Sequence, residues 1–368
     1  MGRAPRLADS VYLLPFRRVK FCSCLSSLHI NEGVFMATLK DVAKKAGVNI
    51  STASRALNGI GNISEGTKEN IRRIAKELNY IPNANARILA GKSSHMIGII
   101  VPETNSDYFS KMINTLEISL QKHDYYLLIS NTQYQPDNEQ KILETFINYN
   151  IDGVFLSCTV DTDRLSRYQV LLNSNHIPLI ALDARQPGAV CSQINVDDTS
   201  GMVESIQYLL HKGHQSIGYL GDYIIKETLR EDFFRDALRR CGLRPDDHPT
   251  FTHPTMRFEP AGYEGMKYFL SLSKRPTAYL AGYDDIAIGA MRAVCEAGLR
   301  IPEDIAIIGN DNGRAGDFLP RRLTTLAPPV EKMAQIGVDL MLDAIRSKDH
   351  SITHNVFLKP ELIIRETT

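Results

Sequence analysis

The sequence lacks any apolar run of about 18 residues, the length a helix needs to cross a bilayer. It also lacks a cysteine framework, because its six cysteines are scattered without paired spacing except for Cys22 and Cys24. Scattered thiols are typical of a reducing compartment. We therefore expect a cytoplasmic protein without disulfides or membrane contact.

Motifs for catalysis and for cofactor binding are also missing. The sequence has neither the G-x-S-x-G turn of a nucleophilic serine nor a phosphate-binding loop, and the glycines of GYLGD (218–222) do not continue into G-x-G-x-x-G. His211 and His214 have no cysteine or carboxylate partner at metal-ligand spacing, which favours a helix-end histidine pair. We expect no enzyme activity, metal or cofactor.

The net charge of zero conceals an uneven distribution along the chain. Residues 36–92 carry ten basic and four acidic side chains, and residues 1–35 carry five and two. The remainder therefore carries 27 basic and 36 acidic side chains. A basic segment suits contacts with nucleic-acid phosphates, whereas the remainder is acidic.

Three short helices are predicted within the basic segment, because apolar residues recur there at helical spacing. Their predicted caps and ends are, in chain order, Thr38 and Gly47, Asn49 or Ser51 and Asn58, and Ser64 and Tyr80. The first two helices, joined by a tight glycine turn, indicate a helix-turn-helix. An ordinary three-helix bundle is the alternative, and the positive charge favours the nucleic-acid interpretation.

The segments LKDVAKKAGVNISTASRALNG (39–59) and SEGTKENIRRIAKELNYIPNANARILAGKSS (64–94) resemble the amino-terminal domain of the lactose-repressor (LacI/GalR) family of bacterial transcription regulators. The likeness runs through about 55 continuous residues and extends more loosely to residue 366. It implies a DNA-binding domain at 36–82, a hinge helix and linker at 83–95, and a ligand-binding body at 96–368. Residues 1–35 have no place in this pattern, and we interpret them as a disordered or misassigned extension.

The resemblance implies roles for residues of the second helix. Ile50, Ser51 and Arg55 match positions that face base edges in the major groove, and the fork of Arg55 suits guanine. A phosphate contact or a solvated side chain is the alternative for Arg55. Asn49, Thr52 and Ser54 are interpreted as phosphate or capping groups. The remaining residues of the predicted surface are Thr38, Asn58 and Tyr80.

The short segment NANARIL (83–89) resembles the family's hinge helix. It is too short to be stable alone, and in the family it orders on DNA and pairs with its dimer mate in the minor groove. The resemblance implies that Asn83, Ala86 and Leu89 contact DNA, with Leu89 wedged into a base step. A buried linker contact is the alternative for Leu89.

From Met96 onward the sequence alternates short β-rich runs with helical segments. This alternation predicts a doubly wound parallel sheet, and because the rhythm restarts after Val196 we predict two such lobes. The fold class is thus a helical head plus an α/β body of two parallel-sheet lobes, similar to periplasmic binding proteins. The resemblance places the first lobe at about 96–196 and 327–356 and the second at about 197–324 and 357–366.

Ligands of open α/β sheets bind beyond the carboxyl ends of the strands. The candidate effector-binding residues at those ends are Tyr108, Phe109, Asp183, Arg230, Phe258, Tyr283 and Asp311. Asp183, Arg230 and Asp311 could hold adjacent hydroxyl groups, and the aromatic rings could cover the apolar face of a sugar. The resemblance implies effector contacts at Arg230 and Asp311 in particular.

One departure from the family changes the predicted ligand chemistry. Many members have an Asn-Asp pair where this chain has Tyr283-Asp284, so the identity of the ligand does not carry over. Several candidates also have plainer interpretations. Asp311 could be a strand-end cap, Arg230 could form a salt bridge between the lobes, and the aromatic residues could line the core.

These patterns favour a cytoplasmic, sequence-specific repressor of carbohydrate-use genes. We expect a homodimer that binds near-palindromic double-stranded operator DNA and responds to a small sugar-like effector. A sugar-binding transport component with the same bilobed body is one alternative, and the basic head argues against it. A sugar-acting α/β enzyme is another, and the missing catalytic motifs argue against that.

Overall fold

The computed structural model describes residues 37–80, 93–157, 162–184, 191–222, 230–347 and 352–368. Residues 1–35, with the predicted extension, lie outside these ranges. So do the predicted hinge residues Asn83, Ala86 and Leu89. By its internal contacts the chain divides into two units, Met1–Asn83 and Ala84–Thr368.

The described part of the first unit is a bundle of three helices, α1 (Leu39–Ala46), α2 (Ile50–Leu57) and α3 (Glu65–Glu77). A capping box begins α1, in which the Asp41 carboxylate accepts from the Thr38 backbone amide at 2.9 Å. Gly47 ends α1 in the left-handed conformation, with φ of 67°. Small side chains let the helices cross closely, because Ala53 and Ala56 of α2 are fully buried.

The second unit contains two six-stranded sheets. The first sheet has the order β11-β5-β4-β3-β1-β2, and every strand pairs parallel to its neighbours. Its strands are β1 (Met96–Val101), β2 (Tyr126–Asn131), β3 (Gly153–Leu156), β4 (Leu179–Leu182), β5 (Ser192–Val196) and β11 (Asn355–Leu358). Helices α4 (Asp107–Gln121), α5 (Pro136–Asn148), α6 (Thr162–Asn173) and α12 (Val330–Ser347) accompany it.

The second sheet has the order β12-β10-β9-β8-β6-β7, in which only β12 is antiparallel. Its strands are β6 (Ile217–Asp222), β7 (Thr250–His253), β8 (Ala278–Ala281), β9 (Ala306–Asn310), β10 (Thr324–Ala327) and β12 (Glu361–Ile363). Its helices are α7 (Asp198–His211), α8 (Arg230–Arg240), α9 (Phe258–Leu270), α10 (Asp284–Glu296) and the short α11 (Arg314–Asp317).

Each sheet has a separate apolar core on each of its two faces. Buried β1 side chains illustrate the division, because Ile97 and Ile99 pack with α4 and α12 whereas Ile100 packs with α5 and α6. This is the doubly wound architecture predicted from the alternation of strands and helices.

The chain passes between the two lobes three times, and two of the predicted boundaries need correction. Strand β10 belongs wholly to the second sheet, so that lobe extends to Ala327 rather than residue 324. The predicted division between 356 and 357 falls inside β11, which pairs along its whole length with β5 of the first sheet. The chain therefore crosses between Leu358 and Glu361. Among the described residues, no helix is long and apolar enough to span a membrane.

Candidate functional site

The outward face of α2 carries the side chains predicted to read DNA bases. Ile50 is 48% exposed, and Ser51 and Arg55 are also exposed. Ala53 and Ala56 lie on the opposite face, within the core of the head. The sequence therefore places an apolar side chain, a hydroxyl and a guanidinium on one solvent-facing stripe of a helix about as wide as the major groove.

The polar residues around α2 are engaged to different degrees. Asn49 is the N-cap of α2, but its side chain makes no capping hydrogen bond. Ser51, the other predicted cap, lies inside the helix. The Asn58 amide donates to the Ser54 carbonyl at 2.6 Å, so its side chain closes the end of α2. The Thr38 hydroxyl donates to Asp41 at 2.6 Å.

Tyr80, at the end of the head, packs against its apolar core. Partial burial raises the pKa of the Tyr80 hydroxyl. Thr52 and Ser54 lie in α2 and are half-buried. The predicted DNA-contacting roles of the residues in this head remain predictions, because their positions allow contact but do not test it.

The seven predicted effector-binding residues all lie beyond carboxyl ends of strands or at the starts of the helices that follow. Three of them have positive φ, namely Asp183 at 56°, Phe258 at 55° and Asp311 at 112°. Such backbone conformations cost free energy for residues other than glycine, and they concentrate at functional sites. Eight other described residues also have positive φ, so this conformation alone does not assign a ligand-binding role to these three.

On the first lobe, Tyr108 and Asp183 are brought together although 75 residues separate them. The Tyr108 hydroxyl donates to the Asp183 carboxylate at 3.2 Å, and its ring meets the Phe109 ring edge to face at 5.2 Å. The other Asp183 oxygen accepts from the Val196 amide at 3.3 Å. Asp183 is thereby oriented by groups on both sides.

On the second lobe, Arg230 is fixed by contacts from two directions. Its Nη1 donates to the Gly282 carbonyl at 2.6 Å, and its guanidinium lies over the Tyr283 ring, 4.7 Å from the centroid. The same nitrogen lies 3.8 Å from the Asp311 carboxylate. The Asn310 amide donates to that carboxylate at 2.8 Å.

Burial and neighbouring charges both shift the pKa values of these groups. Burial raises the pKa of Asp311 well above its ordinary value, against the opposing charge of Arg230. Burial alone would lower the pKa of Arg230, but the charges of Asp198 and Asp311 outweigh it and raise the pKa. Burial raises the pKa of Tyr283 to about 12. Arg230 thus remains charged in the cleft, and Tyr283 remains a neutral phenol.

The two lobes meet along their carboxyl strand ends, where hydrogen bonds join them, and the region between these ends is the cleft. The charge of Asp183, on the first lobe, contributes to raising the pKa of Arg230 on the second. Phe258 meets Tyr283 edge to face at 6.1 Å, which lines the second lobe's side with two rings. Carboxylates, a guanidinium and aromatic faces around one cleft can bind a polyhydroxylated ring.

Four further polar residues line this region and were not predicted from the sequence. They are Glu103 and Tyr134 on the first lobe and Asp222 and Arg257 on the second. Asp222 closes β6 and accepts from the Phe258 amide at 3.3 Å. Its position at a strand end was the available signal, whereas Arg257 and Glu103 come together only through the packing of the lobes. No group of three or more metal-ligating side chains occurs among the described residues.

Comparison with known proteins finds a matching family for each of the two units. Residues 38–83 match the profile for bacterial regulatory proteins of the lacI family, and residues 206–368 match the profile for periplasmic binding protein-like domains. The chain is 31% identical over 335 residues to an HTH-type transcriptional repressor PurR of Mannheimia succiniciproducens, covering 90% of this chain and 98% of the relative. It is 32% identical over 337 residues to the PurR repressor of Haemophilus influenzae, with the same coverage.

Solved structures agree with this assignment. The lac repressor dimer bound to operator and the anti-inducer ONPF superposes with a TM-score of 0.78 at 25% identity, covering 90% of this chain and 99% of that one. A LacI family regulator from Enterococcus faecium with bound ribose superposes with a TM-score of 0.64 at 26% identity, covering 74% and 98%. The head, the two parallel-sheet lobes and the near-complete match to repressors together establish that the chain belongs to the LacI family of bacterial transcriptional regulators.

Proposed function

We propose that the protein is a homodimeric repressor whose affinity for operator DNA is controlled by a small polyhydroxylated effector bound in the cleft between the lobes. The observation that carries this proposal is the cluster of Tyr108, Asp183, Arg230 and Asp311 around one cleft. These residues come from four strand ends on two lobes, so a ligand that touches them all would favour the closed arrangement of the lobes.

The chemistry of the cleft favours an uncharged sugar. Asp183 and Asp311 supply acceptors for hydroxyl groups, and Arg230 supplies donors. Phe109, Phe258 and Tyr283 are partly exposed and would offer apolar ring surface, whereas Tyr108 is buried in the core of its lobe and would act through Asp183. Two LacI-type neighbours support the ligand class, since one is described with ribose and another, the regulator CelR, with cellobiose.

The head would read DNA through α2. Arg55 would bond a guanine in the major groove, Ile50 would contact a thymine methyl, and Ser51 a base edge. Asn49, Thr52 and Ser54 would position the helix on phosphates, with Thr38, Asn58 and Tyr80 at the edges of the surface. Two heads related by two-fold symmetry would require a near-palindromic operator.

Coupling between cleft and DNA would pass through residues 83–89. Closure of the lobes would change the pairing of two such segments in the dimer, and with it the insertion of Leu89 between bases. Asn83 and Ala86 would lie at the same minor-groove contact. We expect Leu89→Ala to weaken operator binding strongly while leaving effector affinity nearly unchanged. Equal operator affinity in the variant and parent would contradict this route.

One pair of assays tests DNA recognition, and a second pair tests the ligand. Selection of duplexes from a randomised pool by the full chain should recover a near-palindromic site, and sedimentation should give one dimer per duplex. A thermal-shift panel of mono- and oligosaccharides should then identify a ligand, with calorimetry to measure its affinity. Recovery of unrelated sequences would contradict the DNA assignment, and a panel in which only anionic or apolar compounds stabilise the protein would contradict the sugar assignment.

A further inference from the structure

Arg257 of the second lobe reaches across the cleft to the first lobe. Its Nη1 donates to the Glu103 carboxylate at 2.8 Å, and its Nη2 donates to the Tyr134 hydroxyl at 3.0 Å. The guanidinium also lies over the Tyr134 ring, 4.5 Å from the centroid. Three kinds of contact therefore join one side chain to the opposite lobe.

Contacts within its own lobe hold the Arg257 side chain in this position. The guanidinium stacks on the Phe258 ring at 4.1 Å, and its Nε lies 3.7 Å from the Asp222 carboxylate. Arg257 is thus pre-oriented by the second lobe before it meets the first. A planar cation held between two rings and two carboxylates has few other arrangements open to it.

The ion pair between Arg257 and Glu103 is largely shielded from water, which strengthens it. The Arg257 side chain is 23% exposed and that of Glu103 is 12% exposed. Surface ion pairs contribute little, but charge-assisted hydrogen bonds shielded from water are considerably stronger. Separation of the lobes would break the hydrogen bonds to Glu103 and Tyr134 and would leave Arg257 its contacts with Asp222 and Phe258.

A second set of interlobe contacts lies elsewhere on the cleft and does not involve Arg257. The Asp107 carboxylate of the first lobe accepts from the Arg314 backbone amide at 2.7 Å. Lys111 donates to the Asn312 carbonyl at 2.6 Å. The Arg314 amide lies in the first turn of α11 and has no partner within that helix. Its protection from hydrogen exchange therefore depends on the bond to Asp107, and hence on lobe closure.

We propose that Arg257 is an interlobe clamp, and that its bonds to Glu103 and Tyr134 set the closed-to-open equilibrium of the effector cleft. This deepens the proposed function, because the clamp would regulate the site at which the effector binds. An effector that prefers the closed cleft binds in proportion to the fraction of molecules already closed. Loss of the clamp would therefore lower the affinity for the effector without removing any hydroxyl-binding residue.

Hydrogen exchange at single amides tests the clamp without effector or DNA. The Arg314 amide reports closure through its bond to Asp107, and the adjacent Gly313 amide serves as the internal control. Gly313 donates to the Asp284 carboxylate at 2.7 Å, within the second lobe. Exchange would be followed in the full-length chain by mass spectrometry with residue-resolving fragmentation, so that failure of the DNA or sugar proposals cannot affect the result.

The variants are Arg257→Met, Glu103→Gln and the double variant, with Arg235→Met as the matched control. Arg235 also pairs with a carboxylate, Glu231 at 2.8 Å, and bonds Thr250, but all three lie in the second lobe. The proposal predicts that Arg257→Met speeds Arg314 exchange by about tenfold or more while Gly313 changes little. It also predicts that Glu103→Gln produces no further increase once Arg257 is gone.

Other outcomes overturn the proposal. If the Arg314 amide is unprotected in the parent chain, the lobes are not held closed. If Arg257→Met leaves Arg314 exchange unchanged, the clamp does not set the equilibrium. If Arg257→Met and Arg235→Met accelerate both amides equally, Arg257 acts only through the stability of its own lobe.

Discussion

Arg230 and Asp311 face each other across the carboxyl ends of the second sheet, with Arg230 Nη1 3.8 Å from Asp311 Oδ1. Each residue also has a hydrogen-bond partner of its own. Arg230 donates to the Gly282 carbonyl, and Asp311 accepts from the Asn310 amide. A pair anchored by separate groups holds its donors and acceptors at a fixed spacing. A ligand entering the cleft would place a pair of hydroxyl groups against these donors and acceptors.

Tyr108→Phe removes the hydrogen bond to Asp183 while preserving the ring. We expect the affinity for the cleft ligand to fall about three- to tenfold, because one Asp183 oxygen loses the donor that orients it. Stability should change by only about 1 kcal/mol, because the ring still packs against Phe109. Calorimetric titration with the best ligand of the saccharide panel measures the first effect and urea unfolding the second.

The control for this variant is Tyr149→Phe, whose side chain is 57% exposed and distant from the cleft. It should leave both quantities unchanged. Unaltered ligand affinity in Tyr108→Phe would show that Asp183 does not bind the ligand through this arrangement.

Arg55→Lys keeps the positive charge of α2 but removes the fork that pairs with guanine. We expect discrimination between the selected operator and a variant with that base pair changed to fall by about 1–3 kcal/mol. Non-specific affinity and its salt dependence should persist, because the phosphate attraction of a lysine is similar. Binding isotherms on both duplexes at several salt concentrations distinguish base recognition from the alternative phosphate contact, for which discrimination would not change.

Asp285 gives the body a pH-dependent stability. Burial, followed by the charge of Glu259, raises its pKa to about 6 from an ordinary value of 3.8. A carboxyl with a raised folded-state pKa stabilises the fold below pH 3.8, and that contribution is lost as the pH rises through about 6. Asp285→Asn should therefore raise the free energy of unfolding at pH 7.5 by about 1–2 kcal/mol, with allowance for solvent screening at this half-buried group.

Urea unfolding at pH 7.5 and pH 4 checks this sign. The gain from Asp285→Asn should shrink toward zero at the lower pH, and exposed Asp246→Asn should produce no comparable gain. If Asp285→Asn is no more stable than the parent at pH 7.5, ionisation of Asp285 does not destabilise the fold.

Gly262 permits the close crossing of α9 and α10. A methyl group at this position would lie 1.9 Å from the Ile286 carbonyl oxygen, which is backbone and cannot move aside easily. Gly262→Ala should destabilise the second lobe by about 3 kcal/mol, measured by urea unfolding. Glu264→Ala, on the solvent side of the same helix, should change stability by less than about 0.5 kcal/mol. Equal effects of the two substitutions would contradict the tight crossing.

The sequence predicted the repeating elements well, because each strand or helix has its own local pattern. The helical patterns at 199–212 and 285–297 predict two helices of the body, and the structure has them at Asp198–His211 and Asp284–Glu296. No element was predicted for 330–347, although α12 spans it and packs on the first sheet. The crossing points were misplaced because a strand such as β11 has the same local pattern whichever sheet it joins.

The site was predictable to the extent that strand ends converge in a parallel sheet. That rule placed Asp183 at the carboxyl edge of the first sheet and Arg230 and Asp311 at the carboxyl edge of the second. It could not reveal Arg257 and Glu103, which are 154 residues apart and meet only when two lobes close. It also could not show that Asn58 bonds back to its own helix, since the same side chain could equally have faced solvent.

Operator titrations of the parent and of Arg230→Met, with and without the sugar identified in the panel, test the central claim most directly. The account predicts that the sugar changes operator affinity of the parent about 5- to 150-fold, the range of ordinary allosteric coupling. It predicts that Arg230→Met binds the operator as the parent does without sugar but no longer responds to it. An equal response to the sugar in both proteins would contradict a role for this cleft in control of DNA binding.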